Sequence, residues 1–209
     1  MIKTVVAGIG TGIGKTFIAT ILAEALEADY WKPVQAGNLD FTDTDFVRQH
    51  LSNRKTVFHP EVYRLSSPMS PHAAAAKDGT NIDLQKLTIP QTQNNLVIEP
   101  PGGVMVPLNQ QELNVDLICR WELPVILVSK NYLGSINHTL LTARVLKDYD
   151  VKVSGIIFNG EANPATEEVI LDHTGFACIA RINHEKEINK AVVKRYANQV
   201  KDKLNFQFA

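Results

Sequence analysis

Apolar residues along this chain change their period repeatedly, and each change marks an element. Lys3-Thr4-Val5-Val6-Ala7 is a short, partly β-branched run that predicts a strand. After a glycine-rich stretch, Phe17, Ile18, Ile21, Leu22, Ala25 and Leu26 recur at helical spacing, and this pattern fades near Glu27 and Asp29. Tyr30 to Val34 reads as a second strand closed by the turn Gln35-Ala36-Gly37. Thr42-Asp43-Thr44-Asp45-Phe46-Val47 opens a helix with hydroxyl and carboxylate caps and is followed by Leu51. A less regular region, Phe58 to Gly79, carries Pro68, Pro71 and a small helix through Ala73 to Ala76.

The second half alternates more plainly. Asn95 to Glu99 is a short strand stopped by Pro100-Pro101-Gly102-Gly103, and Leu123 to Ser129 is the clearest buried strand. Gly134 to Lys147 is helical, Lys152 to Asn159 is a strand, and Ala165 to His173 is a helix. A last short strand lies at Phe176 to Ile179, and a closing helix runs from Lys186 to Leu204. Strands alternating with helices imply βαβ crossovers. The fold class is α/β, a parallel β-sheet flanked by helices on both faces. No repeat, low-complexity tract or linker interrupts it, so residues 1–209 form one expected domain. Ligands of such sheets gather at the carboxyl ends of the strands. The loop 8–16, Lys32, Glu99, Lys130 and Asn159 should therefore share one edge.

Composition narrows the function classes. Hydrophobic content of 44% and charged content of 21% suit a soluble globular protein, and a net charge of −1 offers no basic stripe for nucleic acid or anionic lipid. Cys119 and Cys178 lie far apart without a C-x-x-C, so we expect two small buried thiols in a reducing cytoplasm. The chain starts directly into a strand, so no signal peptide is expected, and no apolar run approaches the roughly 20 residues of a membrane span.

The stretch that carries chemistry is Gly8-Ile9-Gly10-Thr11-Gly12-Ile13-Gly14-Lys15-Thr16, set between a strand and a helix. A helix start offers free N–H groups and the positive end of its dipole. Glycines let that backbone approach an anion, Lys15 reaches outer phosphates, and the Thr16 hydroxyl suits magnesium. The loop is one residue longer than the strict pattern, because five residues separate Gly8 from Gly14-Lys15-Thr16. The dinucleotide pattern G-x-G-x-x-G fails at Ile13. We read a nucleotide-triphosphate cradle of the P-loop NTPase kind; the alternative is a glycine-rich turn that only closes the strand–helix unit.

Magnesium bound with a nucleotide takes one or two protein carboxylates and a hydroxyl. Glu99 ends an apolar strand where such a carboxylate belongs, and Asp45 can supply another from the next loop. Their plainer readings are an exposed strand-end charge and a helix cap. Lys32 precedes Pro33, which biases it to extended geometry and aims it at the phosphate edge, where a cation offsets charge on a transferred phosphoryl group; a solvated surface lysine is the alternative.

With these residues in order, the chain resembles the dethiobiotin synthetases over nearly its whole length. The resemblance is carried by Gly8 to Thr16 with its long loop, Lys32-Pro33-Val34, Thr44-Asp45, and Ser67-Pro68 with Ser70-Pro71-His72. It continues through Glu99 with Gly102-Gly103, Pro107-Leu108, Leu123 to Val128, and Leu133 to Ala143. It implies a homodimer that condenses 7,8-diaminopelargonate, CO2 and ATP into dethiobiotin, ADP and phosphate through a carbamate that accepts the γ-phosphoryl group. By position, it implies catalytic roles for Lys32, Lys15 and Thr11. The implied nucleotide contacts are Gly12, Ile13, Gly14, Lys15, Thr16, Phe17, Asp45 and Asn159, the last beside adenine. Magnesium would lie among Thr16, Asp45 and Glu99. Substrate would meet Lys32, Ala36 and, from the partner subunit, Gly134, Ser135, Ile136 and Asn137, a helix start suited to a carboxylate.

Three departures stand out. The family usually has Glu-Gly-Ala-Gly-Gly where this chain has Glu99-Pro100-Pro101-Gly102-Gly103, which removes two backbone donors. Ala36 replaces a frequent hydroxyl residue, and Asn183 stands where the nucleobase loop often has proline. Rival readings are a ParA/MinD-type ATPase switch, whose extra loop lysine would fall on Gly10, and a nucleotide-binding paralogue without diamine turnover. A cobyrinate-type synthetase would need a further glutaminase domain.

Overall fold

Strict alternation along each strand divides the core into two layers. On β1 (Lys3–Gly8), Val6 faces one side while Val5 and Ala7 face the other, and all three are buried. The computed structural model describes residues 1–207, with side chains through residue 204. Its main sheet contains β1, β2 (Asp29–Trp31), β4 (Phe58–His59), β6 (Leu96–Ile98), β7 (Val125–Lys130), β8 (Val153–Asn159) and β9 (Cys178–Ile182), in the order β4-β2-β6-β1-β7-β8-β9. Every pairing is parallel, so all seven carboxyl ends share one edge. A separate parallel pair joins β3 (Val34–Ala36) to β5 (Tyr63–Leu65).

One face of the sheet packs against α1 (Lys15–Leu26), α2 (Asp43–His50) and α7 (Lys190–Gln207), through Ile18, Ile21 and Val47 among others. The other face is covered by α3 (Pro71–Lys77), α4 (Asn114–Trp121), α5 (Ser135–Asp148) and α6 (Pro164–Thr174). Fully burying each large aliphatic side chain contributes roughly 1.5–3 kcal/mol, so these two layers dominate stability. Trp31 and Trp121 meet with ring centroids 5.7 Å apart, tying β2 to α4. Among the described residues no helix is long and apolar enough to cross a membrane.

The expected strand Tyr30–Val34 breaks in two. Pro33 has no N–H to donate to a ladder, and its carbonyl accepts instead from the N–H groups of Val62 and Tyr63. β2 therefore stops at Trp31, the chain turns at Lys32, and β3 leaves the main sheet to pair with β5. Helix α4 was not expected from the pattern; its Val115, Leu117, Ile118 and Trp121 are buried, and the Leu113 N–H donates to the Asp116 carboxylate at its start. The closing helix starts at Lys190 because the Asn189 side chain accepts from Ala191 and Val192 N–H. The last strand is Cys178–Ile182, later than expected, since its ladder begins after Ala177 accepts from Ile156. Both cysteines are free, and each is partly exposed rather than buried.

At the opposite, amino-terminal edge the buried carboxylate of Asp29 organises the start of β2. It accepts from Val57 N–H (3.0 Å), Thr92 Oγ1 (2.6 Å), Asn94 Nδ2 (3.0 Å) and the His59 ring (3.1 Å). Burial alone would raise its pKa, but these hydrogen bonds outweigh burial and hold it below the ordinary value. A depressed carboxyl stabilises the fold fully above its unfolded pKa and loses that contribution as pH falls through the folded value. Asp29→Asn is expected to cost about 1–3 kcal/mol at pH 7, with a gap that closes in acid below about pH 4. Urea denaturation of both proteins at pH 7 and pH 3 measures this, and an equal gap at both would refute it.

Candidate functional site

The loop between β1 and α1 is shaped by two left-handed glycines, Gly12 (φ 72°) and Gly14 (φ 90°). Buried Ile13 anchors it to the core. Asn159, at the tip of β8, donates from Nδ2 to the Ile13 carbonyl at 2.7 Å. A Cβ on Gly14 would lie 2.2 Å from that nitrogen, so backbone and Asn159 fit only with glycine there. The first N–H groups of α1 have no side-chain cap and face a cavity of about 730 Å³.

Three buried charged side chains, Glu99, Lys32 and Lys15, meet on the cavity wall. Glu99, whose N–H still joins the ladder at Trp31 O, is 1% exposed. Its Oε1 accepts from Thr16 Oγ1 (2.9 Å) and Lys32 Nζ (3.0 Å), and its Oε2 accepts from Tyr30 OH (2.8 Å). Lys32 also pairs with Asp43 Oδ2 at 2.6 Å. Lys15 donates to the Gly10 carbonyl at 2.9 Å, leaving its remaining N–H groups for an anion. Burial, then repulsion from Lys32, lowers the Lys15 ammonium to about 8. Lys32 behaves oppositely: burial pulls it down, but the Glu99 and Asp43 carboxylates outweigh burial and raise it. The result is a pocket beside a helix start in which two lysines, two carboxylates and a hydroxyl meet.

A family model described as an AAA domain matches residues 3–192. The ATP-dependent dethiobiotin synthetase BioD of Cytophaga hutchinsonii is 47% identical over 97% of this chain and 98% of its own length. The chain belongs to the dethiobiotin synthetase family. BioD proteins of Christiangramia forsetii (46% identity; 95% of this chain and 96% of theirs) and Chlamydia pneumoniae (41%; 97% and 90%) agree. In three dimensions the chain resembles a ParA family ATPase from Chlorobium tepidum (12% identity, TM-score 0.60, 99% and 98% coverage). It also resembles the cell division ATPase MinD of Pyrococcus furiosus (15%, 0.62, 97% and 98%). At these identities the structural neighbours establish a shared fold only.

Within this synthetase the structure brings Thr11, Gly12, Gly14, Lys15, Thr16, Lys32, Ala36 and Glu99 to the one cavity. It does not bring Asp45. Thr42 caps α2, so Asp45 is the third helical residue; its carboxylate accepts from Thr42 N–H (3.0 Å) and Thr42 Oγ1 (2.8 Å) and pairs with Arg48 (2.6 Å). Asp43, at the first helical position, faces the cavity instead. The signal was present, since Thr42-x-x-Asp45 is the spacing of a capping box and assigns Asp45 to the cap. Phe17 also stays out of the cavity: its ring packs edge-on to Tyr196 at 6.2 Å. Gly134, Ser135, Ile136 and Asn137 open α5 and do not line the cavity of their own chain; Gly134 is left-handed, and Ser135 Oγ is buried without a partner among the described residues.

Two contributors were not anticipated. Buried Gln35 donates to Gly37 O (2.9 Å) and accepts from Asp43 N–H (3.3 Å), fixing the turn against α2. Asn114 donates to the carbonyls of Pro101 and Gly103 (3.1 Å to the latter), so side-chain hydrogen bonds secure the loop that lacks amide donors at 100 and 101. Asp43→Asn is expected to cut turnover at least about tenfold, while Asp45→Ala lowers the melting temperature through the lost cap and leaves turnover within about twofold. Steady-state rates and melts of both variants test this, and equal kinetic defects would refute it. Because the free Lys15 ammonium deprotonates near 8, the Kd for ATP should weaken by about tenfold per pH unit above 8. Titration calorimetry at pH 7 and pH 9 checks this, and a constant Kd would show that Lys15 stays charged.

Proposed function

We propose that the protein condenses 7,8-diaminopelargonate with CO2, at the expense of ATP, to give dethiobiotin, ADP and phosphate. Family membership supports the reaction, and one observation carries the chemistry: two buried ammonium groups, Lys15 and Lys32, share a cavity with the N-terminus of α1. One substrate amine adds to CO2, giving a carbamate and releasing a proton. A carbamate oxygen attacks the γ-phosphorus, the bond to the β-phosphate oxygen breaks, and a carbamic–phosphoric anhydride forms. The second amine then attacks the anhydride carbonyl, phosphate leaves, and the ureido ring closes. Charge builds on carbamate and phosphoryl oxygens throughout, and fixed cations stabilise it without reorganising.

Lys32 suits the carbamate and transferred group, because Glu99 and Asp43 keep it charged and hold its direction. Lys15, Thr11 and the loop N–H groups suit the phosphates. Thr16, Glu99 and Asp43 form a donor set of one hydroxyl and two carboxylates, which fits magnesium; Asp45 is left out. Among the described residues no group of three or more His, Cys, Asp or Glu side chains is placed to hold a metal ion by itself. Magnesium bound there supplies charge neutralisation on the triphosphate. Asn159 is assigned to the adenine end. Gly134 to Asn137 of a partner subunit are assigned to the substrate carboxylate, which makes the homodimer part of the site. Residues 1–209 act in this reading as one cytoplasmic synthetase domain.

ADP release measured with and without diaminopelargonate and bicarbonate tests the reading. Release should require both, and release independent of the diamine would instead indicate an ATPase switch. Lys32→Ala is expected to lower turnover by at least about a thousandfold with an unchanged circular dichroism spectrum, and a near wild-type rate would remove Lys32 from the mechanism.

A further inference from the structure

Tyr30 carries an atom that packing does not require. Its ring is fully buried on the α1 side of the sheet, edge-on to Phe58 at 6.4 Å, where phenylalanine would fill the same space. The hydroxyl is withdrawn from water, a loss that is compensated only by a hydrogen bond. Among the described residues it has one partner, Glu99 Oε2, at 2.8 Å. The two carboxylate oxygens therefore divide their work: Oε2 is held by Tyr30 from the core side, and Oε1 accepts from Thr16 and Lys32 on the cavity side. The terminal torsion of a glutamate is soft and samples broad angles unless something holds it.

We propose that Tyr30 is a positioning residue for the cation and nucleotide: its hydroxyl fixes the plane of the Glu99 carboxylate, so that Oε1 stays aimed at Thr16 and the cation beside it. This rests on the assignment of Thr16, Asp43 and Glu99 to magnesium. Groups that orient metal ligands from behind typically change metal affinity by about 10–100-fold when removed. Tyr30 has that relation to Glu99, and it reaches the carboxylate from β2, the strand that also ends at Lys32.

Tyr30→Phe removes a single oxygen and tests the inference, with Phe58→Leu as a control that disturbs the same ring contact and spares the hydroxyl. Three quantities are read: the Mg2+ concentration for half-maximal ADP release with both substrates, Mn2+ binding to the ADP complex by electron paramagnetic resonance, and the melting temperature. Tyr30→Phe should raise the Mg2+ midpoint and the Mn2+ Kd by about tenfold or more. Phe58→Leu should lower the melting temperature and leave both metal readings unchanged. Tyr30→Met, a second hydroxyl-free variant, should reproduce the metal defect if Tyr30→Phe is poorly soluble. Wild-type metal readings in the hydroxyl-free variants would overturn the inference and leave the proposed reaction standing. A wild-type protein that turns over without any divalent cation would overturn the magnesium assignment and this inference with it.

Discussion

The structure depends on one buried carboxylate. Glu99 lies at the end of a central strand, removed from water, and is tolerated there because a hydroxyl, an ammonium and a phenol all donate to it. The donors come from two parts of the chain: Thr16 from the first helix, and Tyr30 and Lys32 from β2 and the corner that follows it. The same set that solves a solvation problem therefore brings the start of α1 and the end of β2 to one point. Lys15 completes the balance. Burial first, and then the nearness of Lys32, weaken it as a base, and an anion bound there would offset both.

This arrangement follows from the parallel sheet. Because every strand runs the same way, the residues that follow their carboxyl ends collect at one edge, and the apolar runs beneath them hold that edge rigid. Site precision is inherited from the core. The break at Pro33 adds to it: β3 swings into a small second sheet and carries Ala36 and Gln35 across the cavity as a wall.

Much of this was legible in the residues. The alternation of β-branched runs and helical repeats sufficed for the α/β sheet, and the glycine run ending in Gly14-Lys15-Thr16 marked the phosphate loop. Lys32 and Glu99 were found because they end apolar runs. What escaped depended on side-chain direction or distant pairing. Asp43 and Asp45 are equivalent by composition, and only the register of the cap sends one inward and the other to Thr42 and Arg48. The separation of β3 from β2 needed the partner strand β5, which lies in the irregular region. Tyr30 read only as the start of a strand, because its hydroxyl's partner lies far along the chain.

The meeting of Gly103 with Gly10 has a mechanical consequence. Neither glycine has a left-handed backbone, and a Cβ on Gly10 would meet nothing within 4 Å. A Cβ at 103 would stand 3.4 Å from Gly10 Cα and 3.5 Å from Gly8 O. Those are ordinary van der Waals separations, so a side chain added at 103 would rest directly on the main chain of the anion loop. The proline-bearing segment therefore lies within one methyl group of that loop's backbone.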